Sequence, residues 1–177
     1  MKYNVEIMIT KEEIENRVHQ LAKLLEKDFA GKEPVFIGLL KGSVLFMSDL
    51  VKQIDLPLTI DFLKVSSYHG GTESTGVVQI LQDVSYDLSG KDVIIVEDII
   101  DTGLTLKYVK QFLQSKAINS LHVCTLLDKP SRRKVDIKGD YVGFEIPDEF
   151  VIGYGLDYAE KHRNLPYIGK VVFNDEV

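Results

Sequence analysis

The chain has no tryptophan and a single cysteine, Cys124, in 177 residues. One thiol closes no intrachain disulfide, and no Cys/His spacing suggests a zinc site. Long apolar runs are missing too: none approaches the roughly 18 residues that a membrane-spanning helix needs. The N-terminal MKYNVEIMITKEE places charges where a signal peptide carries its apolar stretch. These absences lead to the expectation of a cytoplasmic protein with no membrane partner. Basic charge is in deficit, with 21 Lys and Arg against 27 Asp and Glu, net −6. A general nucleic-acid binder carries a basic stripe on a basic domain, so none is expected here. Repeats, low-complexity tracts and Pro/Gly/Ser linkers are also lacking, so residues 1–177 are expected to form one domain.

What is present is a series of apolar strands alternating with helices. Thr10-Lys11-Glu12-Glu13 fits a capping box. Ile14, Val18, Leu21 and Leu25 then recur at helical spacing until about Phe29, with Gly31 as the stop. Pro34–Leu40 reads as a buried strand, followed after a Lys41-Gly42 turn by a helix over Ser43–Ile54. Leu58–Val65 and Val77–Leu81 read as strands on either side of the polar, glycine-rich stretch Ser66–Gly76. Asp92–Glu97 is a core strand, and Leu104–Lys116 a helix with Leu106, Val109 and Leu113 on its apolar side. Leu121–Leu127, Tyr141–Ile146 and Ile168–Phe173 complete the strands. The pattern predicts an α/β fold, a mainly parallel sheet flanked by helices. Ligands bind such sheets at the carboxyl ends of the strands, which directs attention to the loops after Leu40, Val65, Glu97 and Leu127.

One of those loops is chemically distinctive. Val93 to Thr105 reads VIIVEDIIDTGLT, in which β-branched residues run straight into adjacent acids, Glu97 and Asp98, with Asp101 three residues on. An unpaired acid pair at the mouth of a parallel sheet is costly. A divalent cation, ribose hydroxyls or a proton to transfer would relieve that cost. Asp101-Thr102-Gly103-Leu104-Thr105 adds hydroxyls, a permissive glycine and free N–H groups at a helix start, the makings of a phosphate cradle. The plainer alternative is a helix cap beside solvated strand-end charges. Between Leu81 and Asp101 there are six acids and one lysine, so most of the net −6 is expected around this strand and its mouth.

Val96-Glu97-Asp98-Ile99-Ile100-Asp101-Thr102-Gly103 resembles the phosphoribosyl-diphosphate (PRPP) signature of the type I phosphoribosyltransferases. Gly38-Leu-Leu-Lys-Gly-Ser43, Ser66-Ser-Tyr68, Asp128-Lys129-Pro130 and Phe150–Asp157 follow in the order of the family's hypoxanthine-guanine branch. The resemblance runs from about Ile9 to Phe173 and implies that fold, twisted, with a small hood built from N- and C-terminal segments.

It also implies roles. Glu97 and Asp98 would hold the PRPP ribose hydroxyls directly or through Mg²⁺, with Mn²⁺ a substitute, and Asp157 would be a second metal-side carboxylate near the purine. Asp101, Thr102, Gly103, Leu104 and Thr105 would hold the 5-phosphate, with Asp101 also the general acid/base near the purine N7. Lys41, Gly42 and Arg163 would contact pyrophosphate, with a cis Leu40–Lys41 peptide expected. Ser67 and Tyr68 would reach pyrophosphate from a closing lid. Lys129 would donate to the purine 6-oxo group, while Phe150 and Val151 form the base pocket. Taken without the resemblance, Lys41-Gly42 is an ordinary turn, Lys129 a solvated strand-end lysine and Phe150 a core residue. His69 is given no role, and Arg132-Arg133-Lys134 is read as a solvated loop, with an interface role as the lesser alternative. The expected partners are PRPP and an oxopurine base, in a homodimer or homotetramer. A PRPP-sensing regulator that binds RNA or DNA is the alternative function, and the charge balance speaks against it.

Overall fold

In the computed structural model, which describes residues 3–67 and 78–174, Thr10 starts the first helix as its sequence predicts. The Glu13 N–H donates to Thr10 Oγ1 at 3.2 Å, and the Thr10 N–H donates to Glu13 Oε2 at 2.7 Å, which completes the capping box. That helix, α1, spans Lys11–Asp28, and its Ile14, Val18, Leu21 and Leu25 are buried. Before it lies a strand that the sequence reading did not include, β1, Tyr3–Ile9. Mostly exposed or half-buried, it owes its pairing to a segment at the opposite end of the chain.

Strand β2, Val35–Leu40, leads into helix α2, Val44–Val51, and then β3, Thr59–Ser67. The helix ends three residues short of the expected Ile54. Its last turn tightens into bonds from Gln53 N–H to Leu50 O and from Ile54 N–H to Val51 O. Strand β4, Val78–Gln82, is followed by β5, Asp92–Ile100, helix α3, Leu104–Gln114, and β6, Ser120–Asp128. After a 3₁₀ turn at Pro130–Arg132 come β7, Tyr141–Glu145, the two-residue β8, Val151–Ile152, and β9, Ile168–Phe173.

Among the described residues the main sheet has six strands in the order β4-β3-β2-β5-β6-β7, parallel throughout except for β4. A second sheet, β1-β9-β8, is antiparallel and joins the N-terminal strand to the C-terminal segment, forming the expected hood. Side chains alternate across β5 with the period of a strand. Ile94 and Val96 join the core packed by α1 and α2, whereas Val93 and Ile95 join the one packed by α3. Helices thus cover both faces. From the adjacent central strands β2 and β5 the chain winds outward in opposite directions, which makes their carboxyl ends the switch point at which such sheets form a ligand crevice.

Candidate active site

Three segments meet at that crevice: the turn after β2, the end of β5 and the stretch after β8. Gly42 lies where the first two touch, and a Cβ added there would fall 1.7 Å from Asp98 Oδ2. On its other side, a Cβ on Gly155 would fall 2.0 Å from the Gly42 carbonyl oxygen, and Gly155 has φ +102°. Both glycines are required for this close approach. The Leu40–Lys41 peptide is cis, as expected.

Strand β5 does not end at Glu97 but runs on to Ile100, paired with β6 as far as Asp128. The acids therefore lie within the strand, past the last β2 pairing at Gly38–Val96. There the alternation slips, with Ile99 packing toward α1 and α2 and Ile100 toward α3. The carboxylates take backbone donors that a regular ladder would use: Asp98 N–H donates to Glu97 Oε1 at 3.1 Å and Ile99 N–H to Asp98 Oδ1 at 2.8 Å. Glu97 is only 8% exposed. Burial, then the adjacent Asp98 charge, pushes its carboxyl well above the usual carboxylate range.

The Asp101–Thr105 loop enters α3 through Gly103, which is left-handed at φ +82°. The first intrahelical bond runs from Lys107 N–H to the Gly103 carbonyl, so the N–H groups of Leu104 to Leu106 precede the helix's own bonding. Glu97, Asp101, Thr102, Gly103 and Thr105 help line a hollow of about 90 Å³ at this helix start. In the basic cluster Arg132-Arg133-Lys134, Arg132 and Lys134 are exposed, as expected of a solvated loop, but the cluster also bonds to this loop and Arg133 is half-buried against it. Arg132 Nε donates to Asp101 Oδ1 at 3.1 Å. The Arg133 guanidinium bridges the Asp101 carbonyl and the Asp128 carboxylate, and Lys134 N–H donates to the Thr102 carbonyl at 2.9 Å. The only local hint of this in the sequence is Asp128, five residues before Arg133.

Lys41 and Arg163 come together across the turn that follows Gly155. Lys41 Nζ lies 2.7 Å from Glu160 Oε2, while one Arg163 nitrogen is 2.9 Å from Asp157 Oδ1 and 3.3 Å from Glu160 Oε1. Arg163 also donates to the Gly155 carbonyl at 2.7 Å, and its buried Nε has no partner among the described residues. Lys41, then Arg163, holds the Glu160 carboxyl below the usual carboxylate range. Sequence reasoning missed Glu160. The spacing Asp157-Tyr-Ala-Glu160-Lys-His-Arg163 places it between two expected site residues, but the positive φ of Ala159, Glu160 and His162 that folds this turn leaves no mark in the sequence.

Asp157 takes Arg163 and the Glu160 N–H rather than joining Glu97 and Asp98. Among the described residues, no three His, Cys, Asp or Glu side chains gather as a metal cage. On the side expected to take the base, Lys129 is 7% exposed at the end of β6, and its N–H donates to the Ile100 carbonyl at 2.9 Å. It is not the solvated lysine that its strand-end position alone would suggest. Phe150 is 45% exposed beside β8 and meets Tyr158 edge-on at 5.4 Å, while Val151 is buried. The side chain of Ser67, together with Tyr68 and His69, lies outside the described residues.

A doubly wound sheet with an acid pair and a phosphate-type helix start at its switch point matches one enzyme class, and residues 8–159 fit the phosphoribosyl transferase domain model. The chain belongs to the phosphoribosyltransferase family. It is 59% identical over 164 residues to the hypoxanthine-guanine phosphoribosyltransferase of Staphylococcus aureus, covering 93% of this chain and 92% of that one. The enzyme of that name from Staphylococcus epidermidis is 56% identical over 163 residues, 92% of this chain and 91% of the relative. Among solved structures, a hypoxanthine-guanine phosphoribosyltransferase from Bacillus anthracis with a HEPES molecule in its active site superposes with TM-score 0.91 at 48% identity, over 97% of this chain and all of that one. The Staphylococcus aureus hypoxanthine phosphoribosyltransferase superposes with TM-score 0.90 at 58% identity, over 94% of this chain and 90% of the other.

Proposed function

We propose that this chain is a purine-salvage transferase that moves the 5-phosphoribosyl group of PRPP to N9 of hypoxanthine, guanine or both, releasing pyrophosphate and forming IMP or GMP. The observation that carries the reading is the convergence of Asp98, Gly42 and Gly155, which sets the acid pair of β5 against the turn that presents Lys41. Bond exchange at an anomeric carbon passes through an oxocarbenium-like state, so the site must align its substrates, manage a proton and neutralise the leaving group.

The chain's residues divide that work. Glu97 and Asp98 hold the ribose hydroxyls. The N–H groups and hydroxyls of Thr102–Thr105 bind the 5-phosphate at the start of α3. Asp101 handles the proton at the purine N7. Lys41, Gly42 and Arg163 bind the departing pyrophosphate, with Ser67 and Tyr68 assisting. Lys129 donates to the purine 6-oxo group, a partner that the 6-amino group of adenine would not match. The exposed Phe150 ring stacks on the base and the Val151 backbone meets its edge.

A divalent cation fits the donor set. Mg²⁺ prefers one or two protein carboxylates together with substrate phosphates and water. Glu97 and Asp98 would supply the carboxylates, and Asp157, which stands apart with Arg163, would be a second metal-side carboxylate near the base; the ion would supply neutralisation of diphosphate charge. Residues 1–177 act as one domain, in the cytoplasm, as a homodimer or homotetramer.

The test is to incubate the protein with PRPP, Mg²⁺ and each oxopurine and to follow nucleotide formation. IMP or GMP appearance is expected. Failure with hypoxanthine, guanine and xanthine alike, together with tight RNA or DNA binding, would overturn the enzyme reading.

A further inference from the structure

We propose that Glu160 is a resident anion in the pyrophosphate site, a positioning residue that competes with the diphosphate of PRPP and with product pyrophosphate for Lys41 and Arg163. The proposal rests on the assignment of those two cations to pyrophosphate. Glu160 divides its carboxylate between them, Oε2 at 2.7 Å from Lys41 and Oε1 at 3.3 Å from Arg163. Lys41 follows β2, 119 positions earlier in the chain, so a single side chain ties two distant segments as a diphosphate would.

The backbone that carries Glu160 is fixed independently of this contact. Its N–H donates to Asp157 Oδ2 at 2.8 Å, and Tyr158 and Lys161 exchange two backbone bonds at 3.0 and 3.1 Å. Glu160 has φ +63°, held by this turn. The side chain itself is 66% exposed, so it can swing into water without disturbing the turn. Arg163 then keeps Asp157 and the Gly155 carbonyl as partners and stays in place for the incoming anion.

Exposed ion pairs of this type are individually weak. A multiply charged diphosphate displaces Glu160, yet each binding event is opposed by the two contacts it breaks. The consequence is a moderated affinity that assists pyrophosphate release.

The experiment is a titration of the full-length protein with inorganic pyrophosphate and Mg²⁺, comparing the parent with Glu160→Gln. The variant should bind pyrophosphate roughly 3- to 10-fold more tightly, with the gap narrowing as salt screens the exposed charges. KM for PRPP should fall by a similar factor while KM for the purine holds, a split that a general structural defect would not produce. In a Lys41→Met background, Glu160→Gln should change pyrophosphate affinity by less than about 2-fold, because one of its two partners is gone. Glu160→Asp keeps the charge but is too short to span both cations, and should lie between parent and Gln. Unchanged or weaker pyrophosphate binding by Glu160→Gln and Glu160→Asp, with a parent that binds normally, overturns the proposal. A parent that binds no pyrophosphate and turns over no PRPP sinks the underlying assignment instead, and the proposal with it.

Discussion

At the scale of single residues, the two acids near the carboxyl end of β5 and the one that follows are held in different ways. Glu97 is buried with Asp98 beside it, so its folded-state carboxyl titrates well above its ordinary value. A folded pKa raised in this way adds stability while the group is protonated, and that contribution is lost as pH rises through the raised pKa. Glu97→Gln should therefore raise the thermal midpoint of the metal-free protein at neutral pH, by about 2–4 °C for each kcal/mol gained. It should also flatten the decline in stability above the usual carboxylate range and slow catalysis, the exchange expected where a site keeps an unfavourable group for function. A midpoint that does not rise in calorimetry at pH 7 would contradict the burial argument. Asp101, by contrast, is about two-fifths exposed and tied to Arg132. Asp101→Asn should leave the fold intact and slow the single-turnover chemical step by roughly 10²–10⁴. An unchanged rate would remove Asp101 from proton handling.

Elements differ in whether their job is to stabilise or to position, and two substitutions separate the cases. Thr10→Ala removes the capping box of α1, whose two bonds join Thr10 to Glu13 and to no expected site residue, at a cost of about 1 kcal/mol. In urea the midpoint should fall while KM for PRPP stays put. Gly155→Ala acts on the segment after β8. Tyr154, with φ +47°, anchors this segment to α2 through its hydroxyl, which donates to Asp49 Oδ2 at 2.6 Å. A methyl at Gly155 meets backbone rather than a flexible side chain, so the segment must lift off the Lys41-Gly42 turn. KM for PRPP should rise about 10-fold or more, of the order expected when a positioning contact shifts by an ångström. A normal KM would mean that the two turns are not coupled. The sequence makes the first of these elements easy to see and the second hard. A capping box and a helical repeat are local signals, so α1 was predictable to within a residue. Strand β1 and the turn at 157–163 depend on partners far along the chain and on positive φ values, which periodicity does not encode. The acid strand lies between these cases: its apolar run marked β5, but the slip in alternation at Glu97–Asp98 hid its last three residues, as happens where a site breaks a local rule.

At the scale of the whole molecule, the acidity between Leu81 and Asp101 lies around β5 and its mouth, divided between the two ends of the strand. Asp92 opens the strand, where Ser120 and Asn119 donate to it, and Asp83 pairs with Lys116 at 2.8 Å. At the carboxyl end stand Glu97, Asp98 and Asp101, and of these Asp101 already has an arginine. The acid pair facing the crevice is thus without a paired cation among the described residues, while the expected cations, Lys41 and Arg163, are engaged with Glu160 and Asp157. PRPP brings several further negative charges to this mouth. Helix-start N–H groups can hold the 5-phosphate, but they do not offset the repulsion between the diphosphate and the acid pair. A divalent cation would, so activity should vanish on chelation and return with Mg²⁺ or Mn²⁺. PRPP binding should weaken by at least 10-fold in chelator, whereas the thermal midpoint without substrate should stay nearly constant, because no preformed cage of three ligands exists among the described residues. Full turnover in excess chelator would place the charge compensation in the protein alone and remove Glu97, Asp98 and Asp157 from any metal role.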